Sequence, residues 1–282
     1  MTPSQDPPVG LAPARLNRRQ AVLAGSALAA GLGRPGQAQA QSPAQSPAPS
    51  ATPGPTPSPA PAGRQPPPFS EAALGTAVPA GWRHQTLPKV PRANQFEIVA
   101  DQGVNVLQVR SQASASSWLC PLAAAPAAPP WLHWRWKVSR PVAGSDLRVK
   151  AGDDYAARLY VLFDLPLERL SLGDRLRLQA ARALSGAELP AAALCYVWGQ
   201  AQPAGSSGWN PYTDRVRMIV LDSGAALAQQ WRSHARPIGQ DWAEAFGGEM
   251  PPISGLAVSA DTDNTGEQAE AWFGDLRWAT HR

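Results

Sequence analysis

The chain has 282 residues, of which 31 are prolines and two are cysteines. The first 40 residues hold four of its 25 basic residues and one of its 21 acidic residues. The remainder therefore carries 21 basic and 20 acidic residues, a net charge of +1. With no basic tract outside the first 40 residues, the charge pattern excludes nucleic acid as an expected partner.

Residues 1–40 have the composition of a cleaved export signal. Arg18 and Arg19 precede a short apolar stretch, residues 21–32, and residues 36–42 supply small side chains at alternate positions. The apolar stretch is too short and too rich in alanine and glycine to span a bilayer. The paired arginines indicate the twin-arginine route. We therefore expect a periplasmic or secreted protein without a transmembrane span.

Residues 41–68 are rich in proline, alanine and serine and contain almost no charge and no aromatic side chain before Phe69. Such a segment cannot bury enough surface to offset the entropy lost on ordering, and proline makes it a stiff, extended spacer. We predict a disordered linker over residues 41–68 and a single folded domain over residues 69–282.

Apolar and polar residues in the folded part alternate with a period of two, which is typical of strands. Strands are predicted over residues 94–100, 104–111, 116–122, 131–138, 155–163, 192–199, 215–224, 229–237, 253–260 and 269–279. A helical insertion is predicted over residues 167–186 and a short helix over residues 239–247. The pattern indicates an all-β fold, an antiparallel β-sandwich of the jelly-roll type.

The strand WLHWRWKV, residues 131–138, shows the alternation most clearly. The side chains predicted to face the core are Leu132, Trp134, Trp136 and Val138. The opposite face carries Trp131, His133, Arg135 and Lys137. This second face is amphipathic, and it is either solvated or lines a groove.

Five motifs occur in a fixed order, and together they resemble a known family. They are PPWLHWRWKV, KAGDDYAARLYVLFD, LCYVWG, NPYTDRVRMIVLDSG and ADTDNTGEQAEAWFGDLRW. The chain is similar to the bacterial domain-of-unknown-function 3047 family over residues 95–280. The resemblance implies an exported β-sandwich of the galactose-binding-like kind, a fold shared with many carbohydrate-binding modules, and it implies no particular activity.

The stretch GDDYAAR combines two carboxylates with an arginine. Asp153 and Asp154 precede a predicted strand, and Arg158 lies on the face of that strand away from the core. Neighbouring strand residues point to opposite faces, so we expect no shared-proton pair between the two carboxylates. Three interpretations stay open: an Asp-rich turn with a salt bridge, a site for sugar hydroxyls or a metal, and general acid–base catalysis.

Two aromatic residues, Trp209 and Tyr212, lie in the predicted loop GSSGWNPYTDR. A loop rich in glycine, serine and proline need not bury either ring, and an exposed ring can stack on the face of a pyranose. Alternatively, both rings cap the end of the sandwich.

Residues 261–266, DTDNTG, partly match the start of an EF-hand loop. Asp261 and Asp263 stand at positions 1 and 3, but Trp272 occupies position 12, where a bidentate Glu is expected. Ca²⁺, the cofactor that such a loop can hold, would therefore need ligands from elsewhere in the chain. The alternatives are a solvated Asx turn around Asn264 and a ligand-binding or catalytic pocket.

The cysteines, Cys120 and Cys195, are compatible with a disulfide in an exported protein and equally with two core residues on separate strands. The sequence contains no G-x-S-x-G and no H-x-x-x-H motif, so we assign no catalytic residue.

The leading hypothesis is a non-catalytic protein of the periplasm or cell envelope that binds a glycan or another polar envelope molecule. The predicted ligand-binding residues are Asp153, Asp154, Arg158, Trp209, Tyr212, Arg236, Asp261, Asp263 and Asn264, with Asp261 and Asp263 as metal ligands. The alternative is a hydrolase or lyase of envelope polysaccharide that uses Asp153, Asp154 and Asp263. A purely structural protein would leave the three polar segments dispersed.

Overall fold

A computed structural model describes residues 65–87, 90–122, 130–165, 172, 176 and 191–282. The predicted signal, residues 1–40, lies outside the described residues, as does most of the predicted linker. The helical insertion predicted over residues 167–186 also lies outside them, except for Leu172 and Leu176, which are helical and exposed. In the described part of the chain, no helix is both long enough and apolar enough to cross a membrane.

Thirteen strands and one α-helix make up the described fold. The strands are β1 (Arg83–Thr86), β2 (Gln95–Asp101), β3 (Val104–Gln112), β4 (Ala115–Pro121), β5 (Trp131–Val138), β6 (Tyr155–Phe163), β7 (Ala192–Gly199), β8 (Ser207–Asn210), β9 (Thr213–Ser223), β10 (Arg232–Pro237), β11 (Ile253–Asp261), β12 (Gln268–Phe273) and β13 (Arg277–Ala279). The helix is α1 (Ile238–Ala245), and 3-10 turns occupy Phe69–Glu71 and Lys150–Gly152.

The strands form two layers. The seven-stranded sheet has the order β1-β4-β11-β6-β7-β9-β8, and the six-stranded sheet has the order β10-β5-β12-β3-β2, with β13 also paired to β5. All pairs are antiparallel except β7 and β9, which run parallel. The predicted antiparallel β-sandwich is confirmed.

The core lies between the two sheets and is rich in aromatic side chains. Its largest fully buried members include Trp118, Trp136, Trp198, Phe163 and Phe273. The alternation in β5 is as predicted, since its four inward side chains are at most 4% exposed and the opposite four are half-buried. Burial of large apolar side chains supplies the main favourable free energy of folding.

The structure differs from the sequence prediction at the sheet edges. Residues 83–86 and 207–210 form short edge strands, although neither segment shows a clear alternation. The predicted final strand is divided into β12 and β13, and residues 274–276 separate them. Both strands are only four residues long and largely exposed, so no buried face imposes an alternation on their sequences.

Residues 65–68, which composition assigns to the linker, pack against the sandwich. The Gln65 side chain exchanges hydrogen bonds with the Trp278 backbone at 2.8 and 3.0 Å, and Trp82 Nε1 donates to the Pro67 carbonyl at 3.0 Å. The described fold therefore begins four residues before the predicted boundary at Phe69.

Cys120 and Cys195 are buried on β4 and β7, and two strands of the same sheet, β11 and β6, lie between them. They are not joined by a disulfide. Of the two interpretations open at the sequence level, the structure supports core residues on separate strands.

Candidate functional site

The three polar segments singled out in the sequence meet on the outer face of the seven-stranded sheet. The turn Lys150–Gly152 leads into Asp153 and Asp154, which come directly before β6, and Asp261 ends the neighbouring strand β11. We call this group the acidic cluster, and it comprises Asp153, Asp154, Arg158, Asn210, Tyr212, Asp261, Asp263, Asn264 and Thr265.

Asp154 ties the DTDNTG loop to the start of β6. Its Oδ1 accepts from the backbone and side-chain amides of Asn264 at 3.3 and 2.9 Å. Its Oδ2 accepts from the backbone amide and the hydroxyl of Thr265 at 2.6 and 2.8 Å. Because Asp154 is fully buried, these four bonds compensate the carboxylate for its lost hydration.

Arg158 is the buried cation of the cluster. Its guanidinium is 3.1 Å from Asp153 Oδ1 and 3.3 Å from Asp261 Oδ2, and it also donates to the Tyr160 hydroxyl at 3.2 Å. The Arg158 side chain is only 2% exposed. A buried charge is tolerated when it is paired and hydrogen-bonded, and the oxygens of Asp153, Asp261 and Tyr160 hold the Arg158 guanidinium in place.

Asp261 and Asp263 each place a carboxylate oxygen within 4.8 Å of the other. Burial raises the pKa of the Asp261 carboxyl well above its ordinary value, and the charge of Arg158 opposes that shift. A hydrogen bond with Asp263 and the charges of Asp263 and Asp154 raise the pKa of Asp261 further. The cluster therefore favours the neutral form of Asp261, which removes one negative charge from a crowded group of carboxylates.

The β8–β9 turn joins the cluster through Asn210 and Tyr212. Asn210 Nδ2 donates to Asp153 Oδ2 at 2.9 Å, and Asn210 Oδ1 accepts from the Tyr212 backbone amide at 3.0 Å. The Tyr212 hydroxyl lies 3.2 Å from both the Lys150 carbonyl and Asn264 Oδ1. The Tyr212 hydroxyl thus bridges two loops through hydrogen bonds within the protein.

Carboxylates that lie this close together can bind a cation. Among the described residues, Asp154, Asp261 and Asp263 each offer an oxygen, and these atoms lie within 4.8 Å of one another. Ca²⁺ takes about six to eight oxygens, whereas both oxygens of Asp154 already accept from Asn264 and Thr265. Since Arg158 also supplies positive charge at Asp261, the fit to Ca²⁺ is partial, and calcium binding at Asp261 and Asp263 stays a proposal.

The structure places the remaining two predicted residues, Trp209 and Arg236, away from the acidic cluster. Trp209 pairs across the strands with Arg217, and its ring packs edge-on against Phe246 at 5.3 Å. Alternation along β8 puts it on the face opposite Asn210. Arg236 lies on the edge strand β10 and is paired with Asp241. Trp209 was grouped with Tyr212 because the two are close in sequence, and the structure separates them.

The acidic cluster is buried, and its side chains bond mainly to one another. Asp153 and Asp261 are 6% and 8% exposed, and Asp154 and Arg158 are buried still more deeply. Its hydrogen bonds join the starts and ends of β6, β9 and β11. This arrangement can hold three loops together and can exchange a proton or a cation, but it leaves little surface for a sugar to contact.

An open aromatic surface lies on the other side of the molecule, on the outer face of the six-stranded sheet. Lys137 Nζ is 4.7 Å from the Trp272 ring centroid and 5.1 Å from that of Trp231, and the Arg135 guanidinium is 4.4 Å from the Trp231 centroid. Asp101 completes the group with an ion pair to Lys137 at 2.6 Å. We call these five residues the tryptophan groove. Cation–π contacts hold both half-exposed rings in fixed positions.

The outer face of this sheet is concave. Strands β2 and β10 are at opposite edges, roughly 19 Å apart in a flat sheet with ordinary strand spacing. Yet Asp101, at the end of β2, accepts from the Nε1 of Trp231, the residue before β10, at 3.0 Å. The β2–β3 turn has positive φ at Gln102 (52°) and Gly103 (78°), as in the strongly twisted type I′ hairpin. The hairpin therefore curls over the sheet and walls the groove.

A cavity of about 470 Å³ opens beside the groove, where the hairpin tip approaches β5 and β10. Its lining includes Asn105, His133, Arg135, Ser233 and Asp275. These side chains offer donors and acceptors next to the two indole rings. A concave surface that combines aromatic rings with a few polar groups is the usual form of a small-molecule or sugar site.

Sequence reasoning identified only one part of the tryptophan groove. The alternation in β5 placed Arg135 and Lys137 on an amphipathic face, and a groove there was one of two alternatives. Asp101, Trp231 and Trp272 come from three other segments, and nothing in their spacing links them. Their convergence depends on the strand order and on the curled hairpin.

The strand order, the aromatic core and the two layers define a β-sandwich protein. The family model described as "Protein of unknown function (DUF3047)" matches residues 80–277, and the chain belongs to this family. The resemblance found in the sequence is therefore confirmed. No curated protein matches the chain in sequence.

Several solved structures are similar to this chain at low sequence identity. The family 11 carbohydrate-binding module of a cellulosomal cellulase from Clostridium thermocellum is 7% identical, with 76% of this chain and 92% of that chain covered and a TM-score of 0.37. A family 30 module from the same organism is 11% identical, with 76% and 96% covered and a TM-score of 0.36. The xyloglucanase domain of NopAA from Sinorhizobium fredii is 10% identical, with 75% and 100% covered and a TM-score of 0.38.

Proposed function

We propose that this chain is an exported, non-catalytic glycan-binding protein, and that the tryptophan groove is its binding surface. The observation that carries the proposal is the pair of half-buried indole rings, Trp231 and Trp272, held on either side of the Lys137–Asp101 ion pair on the outer sheet face. Export to the periplasm or cell surface is the expectation from the N-terminal Arg18–Arg19 signal, and it would bring the groove to envelope glycans.

The chemistry of the groove suits a sugar. A pyranose presents an apolar face of C–H groups and a rim of hydroxyls, so it needs a flat apolar ring beside charged or polar hydrogen-bonding groups. Trp231 and Trp272 supply the rings, and Lys137, Asp101 and Arg135 supply the polar groups. Rigid aromatic side chains lose little conformational entropy on binding, and the cation–π contacts have already fixed these two.

The hydrolase or lyase alternative has less support from the geometry. A general acid or base must come within hydrogen-bond reach of the reacting sugar. Asp153 and Asp154 are at most 6% exposed and are engaged by Arg158, Asn264 and Thr265. Opening them to a polysaccharide would break the acidic cluster, so the acids are better suited to holding the loops together.

Retention of the exported domain on a panel of immobilised polysaccharides tests the proposal. We expect Trp231→Ala and Trp272→Ala each to weaken binding to the retained glycan by about tenfold or more, the loss typical of an aromatic anchor. Trp209→Ala, which removes a ring that is 39% exposed on the seven-stranded sheet, is the matched control and should bind normally. Loss of binding in Trp209→Ala alone would contradict the proposal. Thermal unfolding of each variant confirms that it is folded.

A further inference from the structure

A cavity of about 790 Å³ lies on the same outer face as the tryptophan groove, near the ends of β3, β5 and β12. It is lined by Arg92, Ala93, Gln95, Arg110, Ser111, Gln112, Ser114, Ser139, Arg140, Gln268, Ala269 and Glu270. The lining thus contains three arginines, one glutamate and several amide and hydroxyl side chains, and it contains no aromatic ring. We call it the arginine pocket.

The arginine pocket is continuous with the tryptophan groove. Glu270 is two residues before Trp272 on β12, so both side chains are on the outer face. Gln108, which is opposite Trp272 on β3, accepts from Arg110 Nη2 at 2.7 Å and donates to Glu270 at 3.4 Å. A ligand that stacks on Trp272 therefore extends directly into the pocket.

The charge of the pocket is not balanced within it. Arg110 is held between Glu97 at 3.2 Å and Glu270 at 3.8 Å, so acids of the protein offset its charge. Arg92 and Arg140 are exposed, and Arg140 makes a hydrogen bond to a neutral group, the Gln268 carbonyl, at 3.0 Å. Two guanidinium groups at the mouth of a polar cavity create a positive potential that attracts an anion.

We infer that the arginine pocket is a subsite for a carboxylate-bearing sugar, so that the ligand of the groove is a polysaccharide containing uronic acid residues. Guanidinium groups bind carboxylates through paired, charge-assisted hydrogen bonds. The side-chain amides of Gln95, Gln112 and Gln268 match sugar hydroxyls, which both donate and accept. This inference rests on the proposed glycan-binding function and adds the class of sugar.

The test compares binding of the folded domain to polygalacturonate, to its fully methyl-esterified form, and to neutral and sulfated polysaccharides. The methyl ester keeps the sugar backbone and removes the charge. We expect the carboxylated polymers to bind best, and their binding to weaken as salt rises. The double variant Arg92→Gln/Arg140→Gln should lower affinity for carboxylated polymers by about tenfold or more and leave affinity for neutral ones unchanged.

Arg148→Gln is the control, because it removes an exposed arginine from the other side of the sandwich, and it should bind like the wild type. Equal or better binding of neutral or esterified polymers would overturn the inference and leave the proposed function standing, as would binding of sulfated polymers alone. Binding of no polysaccharide at all would overturn both.

Discussion

At the residue scale, the acidic cluster depends on how buried charges are compensated. Arg158 contacts Asp153 and Asp261, while Asp154 is satisfied by amide and hydroxyl donors. One guanidinium between two carboxylates and near two more leaves negative charge in excess. Burial raises the pKa of Asp261, and the nearby carboxylates of Asp263 and Asp154 raise it further, so the neutral form that removes part of this excess is favoured.

The protonation of Asp261 makes stability depend on pH. Its pKa is higher in the folded chain than in the unfolded one, so folding favours the protonated form. The associated stabilisation is complete below the ordinary carboxyl pKa, about 4, and is lost as pH rises through the raised pKa. We expect Asp261→Asn, which keeps the shape and lacks the charge, to resist denaturant better than the wild type at pH 8 and similarly at pH 4.

Urea denaturation of both proteins across this pH range checks the prediction. A constant difference between the two proteins would show that Asp261 does not titrate in the range. Calcium adds a second comparison, because a cation bound at Asp261 and Asp263 would favour the ionised form. The calcium proposal expects added Ca²⁺ to raise the melting temperature of the wild type at pH 8 and not that of Asp261→Asn. Equal effects on both would contradict it.

At the scale of elements, the turn Lys150–Gly152 positions the two acids that precede β6. A Cβ at Gly152 would lie 2.8 Å from the Asp146 backbone nitrogen and 2.9 Å from the Gly144 carbonyl oxygen. Backbone atoms cannot move aside as a flexible side chain can, so the turn requires glycine here. Residues 144–152 are therefore packed tightly on one another just before the two acids.

We expect Gly152→Ala to destabilise the fold by about 1–3 kcal/mol, the usual cost of overpacking. Gly208→Ala is the matched control, because its added Cβ would lie 3.9 Å from Leu147, an ordinary van der Waals contact. Equilibrium unfolding in urea measures both free energies. The account of the turn would be wrong if the two substitutions had the same effect.

The elements differ in how far their sequences predict them. Central strands such as β5 and β6 bury one or both faces, so alternation identified them and even the side chains that face the core. The edge strands β1 and β8 are short and largely exposed, and their sequences lack a clear pattern. The helix α1 was predicted because Asp241 stands near the start of the segment and Gly247 follows its end.

The acidic cluster and the tryptophan groove could each be predicted only in part from the sequence. The DTDNTG loop lacks the twelfth-position Glu and needs ligands from elsewhere in the chain, so the sequence predicted that Asp153 and Asp154 join it. The sequence could not distinguish a buried cluster from an open pocket, since burial depends on which other segments cover the cluster. The tryptophan groove requires knowing that β2, β5, β10 and β12 share a sheet and that the β2–β3 hairpin curls. Neither the strand order nor the curl of the hairpin can be predicted from a short stretch of sequence.

At the scale of the whole molecule, the two faces of the sandwich have different roles. The outer face of the seven-stranded sheet is closed by the acidic cluster and its loops, whereas the outer face of the six-stranded sheet is concave and carries the tryptophan groove. Between them lies a core with fully buried tryptophans from both sheets. This division explains why the most highly charged motifs of the sequence serve the fold and the open aromatic face is available to bind.

The central claim is that glycan binds at Trp231 and Trp272. The most direct measurement is a titration followed by the indole Nε1–H NMR signals of the chain's 11 tryptophans, assigned by single Trp→Phe substitutions. Adding the polysaccharide that the domain retains should shift the signals of Trp231 and Trp272 and leave that of Trp209 in place. A shift at Trp209 with Trp231 and Trp272 unchanged would contradict the account.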